Sequence, residues 1–330
     1  MSTPSFTQSN LTRGYTIALV SASILSTTAI LIRYLTQTYH LPALVLAFWR
    51  DSFVALTLLL VLSLFRSKRL QVKRSHLGYL VAYGVVLAVF NALWTLSVAL
   101  NGAAVSTVLA YSSAGFTALL GRWLLKERLD WAKLLAVVLS LAGCVMVSGA
   151  LDPAAWSVNL AGILTGSLSG LLYAAYTLMG RSASQRGLNP WTTVVYTFGF
   201  AALFLLLFNL VSPLLGSLPG AASQPSDFFW LGGALAGWGA LLLLAAGPTV
   251  AGFGLYNLSL VYLPSSVANL VATTEPVFTA VIAYFLLAER FTSVQLGGSL
   301  LILSGVVFLR LYEGRLSAER RQEKDQILQA

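Results

Sequence analysis

The 330 residues are 57% hydrophobic and 9% charged, with a mean hydropathy of +0.80 and a formal net charge of +9. An ordinary soluble domain carries about 25% charged residues, so a water-soluble enzyme of this length is excluded. What remains is a chain of apolar runs, each of about 20 residues, the length that crosses a hydrocarbon core about 30 Å thick.

In chain order, a polar tail over 1–13 leads into an apolar run too long for the core of a signal peptide, which reads as an uncleaved first span. The runs predict helices over 14–36, 41–65, 77–100, 102–125, 132–150, 160–180, 190–213, 238–262, 265–287 and 292–312. Helices are expected because lipid offers no partner for free backbone groups, and the runs lack the alternation of barrel strands. The fold class is therefore an all-α integral membrane protein with ten transmembrane helices. They form two five-helix units, 14–150 and 160–312, between tails 1–13 and 313–330.

One stretch, Phe228 to Leu263, is broken by Gly232, Gly233, Gly237, Gly239, Gly247 and Pro248 and could hold one span or two. Charge decides, since Lys and Arg in short loops mark the cytoplasmic side. With one span there and both termini cytoplasmic, the inner face collects Arg13; Arg66, Lys68, Arg69, Lys73 and Arg74; Arg122, Lys126, Arg128 and Lys133; Arg181 and Arg186; and Arg310, Arg315, Arg320, Arg321 and Lys324. Only Arg33, Arg50 and Arg290 are left over. Residues 228–237 are then an interfacial segment or an extension of helix eight, and the expected location is the cell (inner) membrane, crossed many times.

The same placement accounts for the net charge: basic residues sit at span ends, where orientation signals belong, so a nucleic-acid partner is not expected. The loop 66–76 can meet anionic lipid headgroups. With one cysteine, Cys144, and two histidines, His40 and His76, neither a disulfide framework nor a metal cluster is expected. No glycine loop ending in Gly-Lys-Ser/Thr is present, and no cofactor is expected.

Sliding the chain by 162 residues aligns Trp94–Met146 with Tyr256–Phe308 without a gap. Leu96-Ser97 meets Leu258-Ser259, Phe116-Thr117-Ala118 meets Phe278-Thr279-Ala280, Glu127-Arg128 meets Glu289-Arg290, and Gly143 meets Gly305. A shift of 148 brings Gly14, Ser21, Arg33 and Pro42 onto Gly162, Ser169, Arg181 and Pro190. Because five is odd, the second unit begins on the opposite side of the membrane. Such inverted repeats let many secondary transporters alternate access around a midplane site.

The stretch Thr274-Glu275-Pro276-Val277-Phe278-Thr279-Ala280, with Leu287-Ala288-Glu289-Arg290 and Gly297 to Gly305, resembles the second repeat of EamA-type members of the drug/metabolite transporter superfamily. The first repeat has the similar ending Leu125-Lys126-Glu127-Arg128 but carries Ala114 where the second has Pro276. The resemblance spans about 14–312. It implies a cavity lined by helices 1, 3, 4, 6, 8 and 9, and export of small metabolites such as amino acids. It leaves open a multidrug or cationic carrier of the same fold, a non-transporting membrane receptor or intramembrane enzyme, and a monomer or a homodimer.

Ionisable groups inside hydrocarbon are costly and mark sites. Arg50, Asp51 and Glu275 qualify as coupling or gating candidates. Glu275 is either a proton or cation site or a protonated acid fastening two helices. Arg50 and Asp51, about 100° apart on their helix, are expected to find partners on other helices. Aromatic and amide groups suited to an amphipathic small-molecule substrate are Trp49, Asn91, Trp94 and Tyr111 in the first unit, with Tyr173, Tyr176, Tyr256, Asn257 and Asn269 in the second. Glu127 and Glu289 are expected to act as gate or helix-end fastenings with Arg128 and Arg290, and Gly162, Gly166 and Gly170 to form a close packing face.

Overall fold

The computed structural model describes residues 8–152, 160–215, 220–287 and 292–329. Their helices are α1 (Gln8–Thr38), α2 (Ala43–Arg66), α3 (Arg74–Tyr111), α4 (Ser113–Leu124), α5 (Trp131–Val147), α6 (Leu160–Gln185), α7 (Pro190–Val211), α8 (Leu235–Leu244), α9 (Val250–Tyr262), α10 (Ser265–Ala272), α11 (Glu275–Leu287) and α12 (Ser293–Gln329). Local chemistry sets the entries. Asp130 accepts from the Lys133 backbone N–H at 3.1 Å ahead of α5, and Asn189 caps α7 with Pro190 in its first turn.

Seven segments among the described residues are long and apolar enough to cross a bilayer by themselves. The short α5 and two composite spans, four and nine, complete ten. Span four shares α3 with span three: Ser97 Oγ and Ser106 Oγ lie 2.8 Å apart, whereas a straight helix would separate them by about 13 Å. The chain therefore doubles back between them, as the 100/102 boundary predicts, and span four continues through α4. Span nine is α10 followed by α11.

The packing reveals a pseudo-twofold axis. Span two packs on seven, five on ten and four on nine, each against its own repeat mate; α3 packs along α6, and their mates α9 and α1 pack along each other. Gly166 and Gly170 let α6 approach the span-three hairpin closely. A Cβ on Gly166 would lie 2.6 Å from Leu109 and from the Ser97 hydroxyl; one on Gly170 would lie 2.5 Å from the Leu109 carbonyl. Lipid-facing surfaces keep exposed Leu56, Leu60, Leu64, Phe65, Leu164, Leu207 and Leu300.

Phe228 to Leu263 holds one span. A short turn, Pro225–Phe229, precedes it, and the helix starts at Leu235 rather than 238. Pro248 is absorbed in a π-helical turn, Ala245–Thr249, where the Thr249 hydroxyl donates to the Leu244 carbonyl at 2.7 Å. That side-chain bond occupies one carbonyl of the irregular turn.

Spans four and nine are both broken, and at matching points. The first break falls at Ser112, between α3 and α4; the second at Thr273-Thr274, between α10 and α11. The 162-residue offset carries Ser112 onto Thr274. Around the second break the backbone tightens, with Thr273 N–H donating to Leu270 and Thr274 N–H to Val271, at 3.1 and 3.0 Å. Pro276 thus occupies the first turn of a new helix, where a missing N–H costs nothing. It does not kink a continuous helix, since α11 starts at Glu275.

Candidate functional site

The inner faces of spans three, four, six, eight and nine bring their polar side chains into two hydrogen-bonded chains. In one, Tyr83 donates to Asn257 Oδ1 at 3.2 Å, and Asn257 Nδ2 donates to the Tyr176 hydroxyl at 2.9 Å. In the other, Ser113 donates to Asn269 Oδ1 and Asn269 Nδ2 to Thr177 Oγ1, both at 3.0 Å; Thr177 meets the Tyr256 hydroxyl at 2.8 Å. Thr177 spends its own proton on the Tyr173 carbonyl at 3.0 Å, so Tyr256 is the donor to it. All of these groups are buried, and pairing them avoids the penalty of a lone polar group in hydrocarbon. Phe90 stacks on Tyr173 at 5.2 Å between centroids, and Tyr256 lies 6.2 Å from Tyr173.

The two helix breaks meet beside this network. Tyr111 is the last residue of α3 and Glu275 the first of α11, and the two side chains face each other. Glu275 is half-buried and stands in the first turn of its helix, where the macrodipole favours negative charge.

A third cluster joins spans two and three. Arg50 Nε and Nη2 reach Asp51 Oδ1 at 3.1 and 3.0 Å, and Asn91 Nδ2 donates to Asp51 Oδ2 at 3.0 Å. Asp51 is fully buried. The expectation of separate partners for these neighbours is corrected: an Arg stem is long enough to fold the guanidinium back across 100° of helix. The reading that Asp51 pairs with another helix holds through Asn91.

The remaining candidates scatter. Trp49 sits in a peripheral aromatic cluster, 5.2 Å from Trp238 and 5.4 Å from Phe53, with its indole donating to the Phe228 carbonyl at 2.7 Å. It fastens span two to the segment before span eight, outside the polar network. Trp94 is half-buried one turn beyond Asn91. A groove of about 420 Å³ between spans two and seven, lined by Leu56, Leu59, Leu70, Val195, Tyr196 and Phe200, is apolar and lies apart from the network.

Glu127 does not pair with Arg128 as expected; it accepts from Ser265 and Ser266 at the start of α10. Glu289 and Arg290 lie outside the described residues. Tyr83, Thr177, Ser113 and Phe90 were missed by sequence reasoning. Tyr83 precedes Asn91 by two turns, and Thr177 follows Tyr173 by one, so helical spacing from the chosen amides and tyrosines would have found both.

The EamA-like transporter family model matches residues 12–149 and 160–311, one match per unit. A protein of Archaeoglobus fulgidus named "Uncharacterized transporter" is 29% identical, the match covering 56% of this chain and 58% of the relative. "Uncharacterized transporter YwfM" of Bacillus subtilis is 27% identical over 76% of this chain and 79% of its own length. "Probable purine permease 11" of Arabidopsis thaliana is 32% identical over 41% of this chain and 32% of its own. A solved structure titled "Crystal structure of protein" superposes with a TM-score of 0.72 at 16% identity, covering 92% of this chain and 99% of that one, a likeness of fold.

Proposed function

The chain belongs to the EamA-like transporter family, and from that premise we propose that it is a secondary active transporter exporting amino acids or related small amphipathic metabolites. Export proceeds by alternating access, the two units rocking about their shared axis, with protons as the coupling ion at Glu275. Both termini face the cytoplasm, on the distribution of Lys and Arg. The observation that carries this reading is the meeting of the two broken spans at Tyr111 and Glu275. Broken helices at a repeat interface free backbone groups for a solute while leaving the rest of each span sealed.

The surroundings suit such a solute. Tyr173, Phe90 and Tyr256 offer apolar surface, and Asn257, Asn269 and Asn91 offer directed polar contacts. Because Asp51 is already matched by Arg50, Glu275 is the acid left to exchange a proton. The same carboxylate favours a second reading, a carrier of organic cations. Reconstitution into proteoliposomes decides between them: amino-acid uptake that follows an imposed pH gradient supports the first, and uptake of lipophilic cations alone supports the second. Transport of neither class would overturn both.

A further inference from the structure

At one end of the molecule a carboxylate ties span four to span nine across the two units. Glu127 accepts from the backbone N–H groups of Ser265 and Ser266 at 2.6 and 3.2 Å and from both hydroxyls at 2.8 Å. The chain delivers it there through Lys126, whose φ of 55° is a left-handed cap on α4. The N–H groups of Leu125 and Glu127 both return to the Gly121 carbonyl, at 3.1 and 3.0 Å. A side chain at Gly121 would crowd the arrangement, its Cβ 3.1 Å from Glu127 Oε2 and 3.3 Å from Ser265 Oγ. At the same end Arg181 donates to the carbonyls of Leu260 and Val261 at 2.6 and 3.2 Å, holding the last turn of α9 just before α10 begins.

The amino-acid sequence does not repeat this donor set in the other unit. The 162-residue offset maps Glu127 onto Glu289, but it maps Ser265-Ser266 onto Ala103-Ala104, which carry no hydroxyls. Half of the donors that Glu127 uses therefore have no counterpart in the amino-acid sequence. All four bonds to Glu127 are charge-assisted, a kind about twice as strong as neutral ones, so the two hydroxyls without counterparts are strong contacts.

We infer that Glu127, Ser265 and Ser266 form a latch that holds spans four and nine together at the face bearing residues 125–130, and that breaking it gates access from that face. The inference rests on the alternating-access reading and names the gate it requires. All four contacts run from one carboxylate to one helix start, so separation of the spans releases them together and the element has two discrete arrangements.

Thr117 reports the state of the latch. It is fully buried, one turn from Gly121 on one side and from Ser113 on the other, and its hydroxyl has no partner among the described residues. Thr117→Cys in a Cys144→Ser background is exposed to a membrane-impermeant maleimide from either face of sealed vesicles. From the face bearing residues 125–130, Glu127→Ala raises the labelling rate about tenfold. Ser265→Ala with Ser266→Ala keeps both backbone donors and raises it about threefold. Unchanged labelling in both variants, with normal gel-filtration profiles, overturns the latch. If Glu127→Ala does not fold, the serine pair and Glu127→Gln decide alone. Faster labelling without transport of any solute retains the latch and rejects the carrier reading; unchanged labelling with transport intact does the reverse.

Discussion

Spans four and nine are broken at equivalent points by different sequences. The span-nine break reads Thr273-Thr274-Glu275-Pro276, with an acid and a proline at hand; the span-four break reads Tyr111-Ser112-Ser113-Ala114, with neither. Since span four breaks without a proline, a proline is not required for such a break. Pro276 fits the first turn of the helix that follows the break. The acid is a different matter: Ser113, its counterpart, is fully buried and committed to Asn269, whereas Glu275 is half-buried and meets Tyr111. The backbone device is symmetric and its chemistry is one-sided.

Copying the acid onto the other break tests that asymmetry most severely. Ser113→Glu places a carboxyl where no solvent reaches, and stability measured by thermal unfolding in detergent falls by about 3–5 kcal/mol. Gly170→Ala comes next. Its Cβ would lie 2.5 Å from both the Leu109 carbonyl and the Ser112 hydroxyl, so the span-four break must shift, at a cost of about 1–3 kcal/mol. The offset of 148 places Ala22 at the equivalent point beside span nine, and Ala22→Gly therefore costs less than Gly170→Ala. Ser113→Ala removes one bond to Asn269 and lowers stability by about 1 kcal/mol. The smallest effects come from proline itself. Pro276→Ala and Ala114→Pro each change stability by under about 1 kcal/mol, against about 3 kcal/mol for proline inside a helix. A large loss in Ala114→Pro would mean that span four is continuous at that point.

Ten spans and the internal repeat were legible because both depend on long-range pattern: hydropathy over about 20 residues and a gapless offset of 162. The break in span four was invisible for a local reason. Ser112 and Ser113 are compatible with an apolar helix, their hydroxyls bonding to a preceding turn at little cost, so nothing in the string interrupts it. Trp49 was grouped with the amides because an aromatic residue type does not report its depth or facing, and the geometry seats it in a peripheral cluster instead. Asn257 and Asn269 came out in the network because a buried amide must find partners. Glu127 was read as a gate or helix-end fastening with Arg128, and it instead accepts from Ser265 and Ser266. Its partners could not be read, because Ser265 and Ser266 belong to the other unit and are 138 and 139 residues away in sequence.

The central claim is that the one-sided acid at the paired breaks couples solute movement to protons. Glu275→Gln keeps the shape and the contact with Tyr111 but removes the titrating proton, and its measurement is solute accumulation driven by a pH gradient beside gradient-free exchange in the same proteoliposomes. The account predicts that accumulation is lost while exchange persists; undiminished accumulation would contradict it and leave Glu275 a structural fastening.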